Sequence, residues 1–343
     1  MAVDQDRVGV FVKRWITVLL LLALAVVLTS CGSGEQGGDQ EPWQHGIVIP
    51  KGDAGYIMMA QAQGFYQEHG AEVEVVELEG AVQLAQGLIA GELDSAELSP
   101  DPIYEAALRG AQLKIIGSTI PGMAYALYSS EEIGGLEDLQ GRTLGTSAPG
   151  ALPDVIARAM LRESGIDPES VQLTNAGSDA DRWQALLGGQ IDAVANSAEY
   201  VPETEEDDRV KVLAPAWEVV PQYPRFMIVA NNNALEEKPE AAVGFLAGTM
   251  EGISYALENR EDALQLTADT TDAPVDDPSS VYMYDLIKEQ DFASPTSEIS
   301  RDNLEWLQEF RLEAGIQDEE VNLDELIDES YREQALEEAN VQQ

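Results

Sequence analysis

Hydrophobic and polar positions alternate along the chain in short blocks that predict strands and helices in turn. Residues 45–50 (HGIVIP) predict a buried first strand, and residues 73–78 alternate apolar and acidic side chains as a half-buried strand does. Between them, apolar residues at helical spacing from Gly55 to Glu68, followed by Gly70, predict a helix with a glycine cap. The alternation continues to residue 315 and predicts an α/β fold with mainly parallel sheets.

A weak internal repeat divides this pattern into two parts. Residues 88–96 (LIAGELDSA) are similar to residues 186–194 (LLGGQIDAV), and residues 68–70 (EHG) precede the first as residues 163–165 (ESG) precede the second. Two such units predict two similar α/β lobes rather than one large sheet. Chance similarity between common helix-to-strand connections is the alternative.

The start of the chain has the pattern of a leader. Residues 15–28 are uncharged and mostly aliphatic, follow Lys13 and Arg14, and are too short for a bilayer span of ~20 residues. Thr29, Ser30 and the sole cysteine, Cys31, then resemble a bacterial lipobox, which implies cleavage before Cys31 and its lipidation with acyl chains such as palmitate. Residues 1–30 are the expected signal peptide and 31–45 the lipidated cysteine with a flexible tether. An ordinary leader or an uncleaved anchor is the alternative.

Charge and cysteine content exclude several classes of function. The chain has 63 acidic and 19 basic residues, a net charge of −44; without residues 1–30 the numbers are 61 and 16, or −45. This charge excludes nucleic acid and anionic lipid surfaces as partners. It indicates either a surface adapted to a salty medium, the favoured interpretation, or recruitment of cations. With Cys31 lipidated, no disulfide or cysteine-based metal or redox centre remains.

Six blocks in order resemble the solute-binding proteins of ABC importers, within the group handling nitrate, alkanesulfonates, taurine and pyrimidine thiamin precursors. The blocks are residues 64–78 (GFYQEHGAEVEVVEL), 87–99 (GLIAGELDSAELS), 109–118 (RGAQLKIIGS), 136–150 (LEDLQGRTLGTSAPG), 163–167 (ESGID) and 186–197 (LLGGQIDAVANS). The resemblance spans roughly residues 46–315. It implies a periplasmic-binding-protein-like fold of type II, with two crossings between lobes and the ligand in the cleft.

This template assigns regions and partners. Lobe 1 is expected at residues 46–127 plus 226–316, lobe 2 at 128–225, and an acidic tail with one helix at 317–343. The resemblance implies a monomer outside the cell membrane, held by its lipid alone, that delivers a small solute to ABC permease and ATPase subunits. A ligand-sensing ectodomain working with a membrane kinase is the distant alternative.

Four segments that follow predicted strands could line the cleft, because ligands in such folds bind beyond the carboxyl ends of strands. They are residues 50–56, 98–102, 146–151 and 195–200. The expected ligand-binding residues are Gly55, Tyr56, Ser99, Tyr125, Ser147, Gly150, Asn196, Glu199 and Tyr200. Helix capping is the alternative for the two serines, a turn for Gly150, and core packing for the tyrosines.

The charge of the ligand stays open at this stage. Helix N-termini and the family favour a small anion such as nitrate, a sulfonate or taurine, while Glu199 and the tyrosines favour a nitrogen-containing ring such as a pyrimidine. Lys51, Arg182 and Arg225 are the cations in plausible reach, with surface solvation as their alternative role. We expect no cofactor, metal or catalytic residue, because the two histidines lie away from any candidate nucleophile and one cysteine cannot form the cysteine-rich segment of the family's enzymatic branch.

Overall fold

Ten strands form two five-stranded sheets in residues 41–341, the part of the chain that this computed structural model describes. The strands are β1 (Trp43–Val48), β2 (Val73–Leu78), β3 (Ser95–Leu98), β4 (Leu113–Ser118), β5 (Tyr125–Ser130), β6 (Thr143–Thr146), β7 (Gln172–Asn175), β8 (Ala193–Ser197), β9 (Val210–Pro215) and β10 (Met227–Asn231). The strand orders are β2-β1-β3-β10-β4 in lobe 1 and β7-β6-β8-β5-β9 in lobe 2.

Helices follow most strands and cover the sheets. They are α1 (Ala54–Ile57), α2 (Met59–Gln63), α3 (Phe65–Glu68), α4 (Ala81–Ala90), α5 (Pro100–Leu108), α6 (Leu152–Glu163), α7 (Asp179–Leu187), α8 (Val201–Glu206), α9 (Ala216–Val219), α10 (Asn232–Glu237), α11 (Pro239–Glu258), α12 (Arg260–Thr271), α13 (Pro278–Glu289), α14 (Arg301–Glu313), α15 (Leu323–Leu326) and α16 (Ser330–Glu338). Within residues 41–341, none of these helices combines the length and apolarity needed to cross a membrane.

The two sheets share one topology. In each, four strands run in one direction, and one strand that enters from the other sheet's part of the chain inserts antiparallel between two of them: β10 in lobe 1 and β5 in lobe 2. The chain therefore crosses between lobes twice. The crossings pair through their backbones, since the N–H groups of Arg225 and Phe226 donate to the carbonyls of Pro121 and Ile120 at 3.0 and 3.2 Å. The predicted two-lobed α/β fold with two crossings is confirmed.

The internal repeat corresponds to one recurring connection. Asp94 and Asp192 occupy equivalent positions before β3 and β8, and each carboxylate accepts a backbone N–H from the neighbouring strand, at 2.8 Å from Gln44 and 2.8 Å from Thr143. In each repeat, the aspartate after Gly-x-(Leu/Ile) accepts a backbone N–H at the start of a pair of parallel strands. This shared role explains why both copies carry an aspartate there.

Helix α11 lies unusually close to the segment that follows β1. Its glycines at 244, 248 and 252 form one stripe, and a Cβ atom added there would lie 2.5 Å from the His69 carbonyl, 2.7 Å from the Tyr66 side chain and 2.6 Å from the Ala60 nitrogen. Only glycine permits this approach. The glycine stripe therefore lets helices α1–α3 pack closely on helix α11 of lobe 1, which also fixes the position of the loop before α1.

Three boundaries differ from those expected. Strand β1 begins at Trp43, whose buried indole donates to Ser95 Oγ at 2.7 Å, so the tether cannot extend to residue 45. Strand β5 already belongs to the second sheet, which places the first crossing at residues 119–124 rather than at 127.

The expected acidic tail is also part of lobe 1. Residues 317–341 contain two helices, and their apolar side chains, including Leu323, Leu326 and Ala335, are buried. Ile327 forms a β-bridge with Ile115 of β4. The apolar positions among the acids are enough to pack this segment on the sheet.

Candidate functional site

Charged side chains from both lobes and from the second crossing converge on the cleft. We define this cleft cluster as Lys51, Asp53, Glu97, Tyr125, Asp179, Arg182, Glu199 and Arg225. Lys51 and Asp53 follow β1, Glu97 lies in β3, Asp179 and Arg182 begin α7, and Glu199 follows β8. These are the strand ends where a ligand of such a fold is expected.

Lys51 connects the two lobes across the cleft. Its Nζ lies 2.6 Å from Asp179 Oδ2 and 3.3 Å from Glu199 Oε1, and the lysine side chain is 47% exposed. Burial alone would lower the pKa of Lys51, but the charges of Glu199 and Asp179 outweigh it and raise that pKa. The lysine therefore stays charged and draws lobe 1 towards two carboxylates of lobe 2.

Asp179 and Glu199 differ in how far the neighbouring cations offset the cost of burying their charges. Burial works to raise the pKa of Asp179, yet Lys51 and Arg182 together hold it below its usual value. Burial also raises the pKa of Glu199, and there Lys51 offsets only part of the effect. Glu199 is therefore the carboxylate whose charged form is less fully stabilised by its neighbours.

The buried guanidinium group of Arg182 orients Asp179. Its Nε donates to the Ala195 carbonyl at 3.1 Å, Nη1 to the Gly177 carbonyl at 2.7 Å, and Nη2 to Asn196 Oδ1 at 3.0 Å and to Asp179. Asn196 Nδ2 in turn donates to the Asp179 carbonyl at 3.1 Å. Arg182 and Asn196 thus act behind the cleft, on the residue that faces Lys51.

On the opposite side, the second crossing brings a cation to lobe 1. Arg225 Nη2 donates to Asp53 Oδ2 at 2.8 Å, and its guanidinium lies 4.1 Å from the centre of the Phe226 ring. Nearby, Thr119 Oγ1 donates to Glu97 Oε2 at 2.5 Å. Burial raises the pKa of Glu97 to about 7 although the Thr119 bond opposes it.

Some predicted residues do join the cluster. Tyr125 is buried between its charged members, and burial raises its pKa while Asp179, Arg182, Lys51 and Arg225 all act on it. Glu199 and Asn196 are placed as described above. The Tyr200 ring lies 4.9 Å from that of Trp183, half-buried beside Glu199.

Two predicted residues lie in the core of lobe 1 instead. The Tyr56 hydroxyl donates to the Tyr284 carbonyl at 3.2 Å, and the two rings stack at 5.1 Å. The N–H of Gly55 donates to Thr267 Oγ1 at 2.9 Å, and a Cβ atom there would lie 2.3 Å from the Ala263 carbonyl. Both face helices α12 and α13, so the structure does not bring them to the cleft cluster.

The remaining predicted residues lie between a strand and the helix that follows it. Ser99 is the N-cap of α5 without a side-chain capping bond, and Ser147 Oγ is buried with no hydrogen-bond partner. Gly150 has a φ of +79°, and its N–H donates to Asp154 Oδ2 at 3.0 Å. That N–H is used within the first turn of α6. Cys31 lies outside the described residues.

The sequence did not predict Asp53, Glu97 and Asp179 as site residues. It placed the two arginines, Arg182 and Arg225, only within plausible reach of the cleft. One signal was present: Ser178 and Asp181 form a capping box that marks the start of α7, which places Asp179 in its first turn and Arg182 one turn on. Glu97 carries a second signal, an acidic residue inside a fully buried four-residue strand.

Comparison with known proteins identifies the family of the chain. The profile of the NMT1/THI5-like family matches residues 53–263. A putative thiamine biosynthesis protein of Haemophilus influenzae is 27% identical over 221 residues, covering 62% of this chain and 68% of that protein. A formylaminopyrimidine-binding protein of Halalkalibacterium halodurans is 22% identical over 263 residues, covering 74% and 78%.

Among solved structures, the periplasmic aliphatic sulphonate binding protein SsuA of Escherichia coli has the same fold. Its TM-score is 0.70 at 20% identity, over 83% of this chain and 91% of that one. The predicted resemblance is thereby confirmed in family and in fold. The chain belongs to the NMT1/THI5-like family.

Proposed function

We propose that this protein captures a small nitrogen-containing solute, uncharged or cationic, and delivers it to an ABC permease and its ATPase. The observation that carries this ligand class is the charge pairing of the cleft cluster. It holds four carboxylates, Asp53, Glu97, Asp179 and Glu199, against three cations, and every cation already contacts a carboxylate.

An anionic solute, the class slightly favoured by the sequence, fits this arrangement less well. A sulfonate or nitrate bound to Lys51 would compete with Asp179 and Glu199 for that lysine, and one bound to the unpartnered nitrogens of Arg225 would bring a second negative charge close to Asp53. Like charges at such short distances repel each other, which disfavours an anion. An amine, by contrast, would donate to Glu199 and lower the cost of burying its charge.

One relative supports the same choice. The Halalkalibacterium halodurans relative is described as binding a formylaminopyrimidine, a ring with amine donors. We further propose that the chain works as a monomer outside the cell membrane, anchored by lipid at Cys31. The role of a binding protein is supported by the family and by the fold of SsuA.

A thermal-shift panel in molar salt tests the ligand class. We expect 4-aminopyrimidines to raise the melting temperature and nitrate, taurine and alkanesulfonates to leave it unchanged. A ligand at 100 times its dissociation constant stabilises the folded state by ~2.7 kcal/mol. A panel in which only the anions stabilise the protein would overturn the proposed class.

The variant Glu199→Gln gives the sharper test. It keeps the shape of the side chain but removes the charged acceptor, and should weaken binding of the aminopyrimidine by ~1.5–3 kcal/mol. Glu131→Gln, a surface change in the same lobe beside Lys211, is the matched control and should leave binding unchanged. Equal affinities in wild type and Glu199→Gln would contradict the assigned acceptor.

A further inference from the structure

Helix α14 connects the two lobes at a place outside the cleft. It begins on lobe 1, where the Leu304 carbonyl accepts the Tyr104 hydroxyl of α5 at 2.7 Å. Its last turn lies against lobe 2, where Arg162 Nη2 of α6 donates to Glu313 Oε2 at 2.6 Å. The Arg162 guanidinium also lies 6.0 Å from the centre of the Phe310 ring, within the range of a cation–π contact. Arg162 therefore makes two contacts from lobe 2 to one helix of lobe 1.

These contacts lie at the end of α6 that points away from the cleft. Helix α6 follows β6, so its first turn stands at one of the strand ends where the solute site is expected, whereas Arg162 belongs to its last turn. Arg162 comes 10 positions after Leu152, the first residue of the helix, which at 1.5 Å per residue is about 15 Å along the axis. The contact is therefore separate from the cleft cluster.

A row of aromatic rings joins this contact to the second crossing. The Phe310 ring stacks on that of Trp306 at 5.8 Å, and the Trp306 ring meets that of Tyr223 at 6.0 Å. Tyr223 belongs to the crossing, two residues before Arg225, which reaches Asp53 of the cleft cluster. Because the crossing contacts both regions, a rotation of the lobes about it changes their separation at α14 as well as in the cleft.

The interface beside Arg162 is not filled by packing. A groove of about 410 Å³ lies there, lined in part by Ile166 and Pro168 of lobe 2 and by Phe310 and Ala314 of lobe 1. A groove of this size leaves the two lobes room to move relative to each other, which a close-packed interface would not. The contacts of Arg162 therefore supply a larger share of the attraction between the lobes here than they would in a packed core.

We propose that the contact of Arg162 with Glu313 and Phe310 sets the angle between the lobes from outside the solute site. It is formed together with the contact of Lys51 across the cleft, and two such contacts at different places around the crossings restrict rotation more than either alone. The affinity of a two-lobed receptor depends on the fraction of molecules whose lobes have the binding angle. The contact would therefore tune that affinity for any solute, whatever its class.

The test exchanges the two charges and measures the separation of the lobes without any solute. Electron spin resonance distances are measured between labels at Val82→Cys on α4 and Gln184→Cys on α7, in the full chain with Cys31 replaced by serine. Arg162→Glu replaces an exposed ion pair by a repulsion of similar size, so the population at the wild-type separation should fall about two- to thirtyfold relative to other separations. Glu313→Arg should lower it in the same way, and the double variant with both changes should restore it.

Two further variants separate the contact from general effects of charge. Arg162→Met removes the attraction without adding a repulsion and should give the smaller change of about one-and-a-half- to fivefold. Arg301→Glu is the matched control, since Arg301 is an exposed arginine at the start of the same helix and its partners, Glu305 and Asp324, both lie in lobe 1. This reversal should leave the distances unchanged.

Each outcome decides for or against the inference. Distances identical to those of wild type in both single variants would overturn it. A double variant that stays shifted would overturn it as well, because each residue would then act alone rather than through the pair. A shift in Arg301→Glu equal to that in Arg162→Glu would show that net charge, and not this contact, controls the angle.

Discussion

The contact of Lys51 with two carboxylates of lobe 2 predicts that this lysine stabilises the closed cleft. The perturbation is Lys51→Met, which keeps the length of the side chain and removes the ammonium. Asp179 and Glu199 would then face each other without the cation between them, at 2.6 and 3.3 Å from where it stood. The variant should favour separation of the lobes.

The expected loss of free energy in Lys51→Met follows from the distances between the charges and from the exposure of the lysine. Two unit charges at 4 Å interact by about 1 kcal/mol in bulk water and about 4 kcal/mol near a protein surface. The Lys51 side chain is 47% exposed, so solvent screens much of this Coulomb energy. Exposed ion pairs contribute about 0.2–1 kcal/mol each. With two partners, we expect about 0.4–2 kcal/mol, roughly a two- to thirtyfold shift in the equilibrium between closed and open forms.

The assay measures the distance between the lobes directly. With Cys31 replaced by serine, Val82→Cys on α4 and Gln184→Cys on α7 provide exposed label sites for electron spin resonance distance measurements. Lys51→Met should move population to longer distances. The control is Lys211→Met, whose lysine contacts only Glu131 of its own lobe, at 3.9 Å. A distance distribution identical to that of wild type would refute the reasoning.

Three further predictions concern the rest of the chain. Cys31→Ser should release the protein into the medium, and mass spectrometry of the wild type should find a diacylglyceryl group on Cys31; an intact leader would contradict the anchor. Melting temperature should rise from low to molar salt, because screening removes repulsion within a charge of −44, and a flat profile would point to a functional use of the acid. In acid, protonation of two buried side chains, His45 and Glu97, should change the stability of the fold in opposite directions. Burial lowers the pKa of His45 to about 3 from 6.5, so the unfolded chain binds the extra proton and stability falls as pH drops below 6.5, by about 2 kcal/mol at pH 5. Burial raises the pKa of Glu97 to about 7 from 4.5, so its contribution is present below pH 4.5 and is lost as pH rises through 7. Glu97→Gln should therefore steepen the loss of stability in acid and His45→Gln should flatten it, as read from melting temperature against pH; parallel profiles would show that neither group titrates with folding.

Most of the fold could be predicted because the signals are local. Alternation of apolar and acidic residues in β2, the glycine after several of the helices and the aspartate within each repeat all act through a few neighbouring residues. The crossing at residues 119–124 could not be located as well, because β5 is as buried as a lobe 1 strand would be and only its pairing with β8 assigns it to lobe 2.

The site was predicted only in part because its contacts join distant parts of the chain. Glu199 and Tyr125 could be found from their positions near strand ends. The pairs Lys51–Asp179 and Asp53–Arg225 join residues far apart in the sequence, and no local pattern connects them. Tyr56 illustrates the opposite error: its position after β1 suggests the cleft, but the close approach of α12 through Gly55 turns that segment towards the core.

The acidic composition and the cleft have separate physical roles. Most of the 63 acidic residues lie on the surface, where salt at 1 M reduces the Debye length to about 3 Å and screens their mutual repulsion. Asp53 and Arg225 are buried, and Asp179 and Glu199 are largely so, which shields their interactions from the same salt. Salt that screens the surface charges should therefore leave recognition in the cleft largely unaffected. This separation supports the proposed amine-bearing solute, because a hydrogen bond to the largely buried Glu199 keeps its strength when the medium screens long-range attraction.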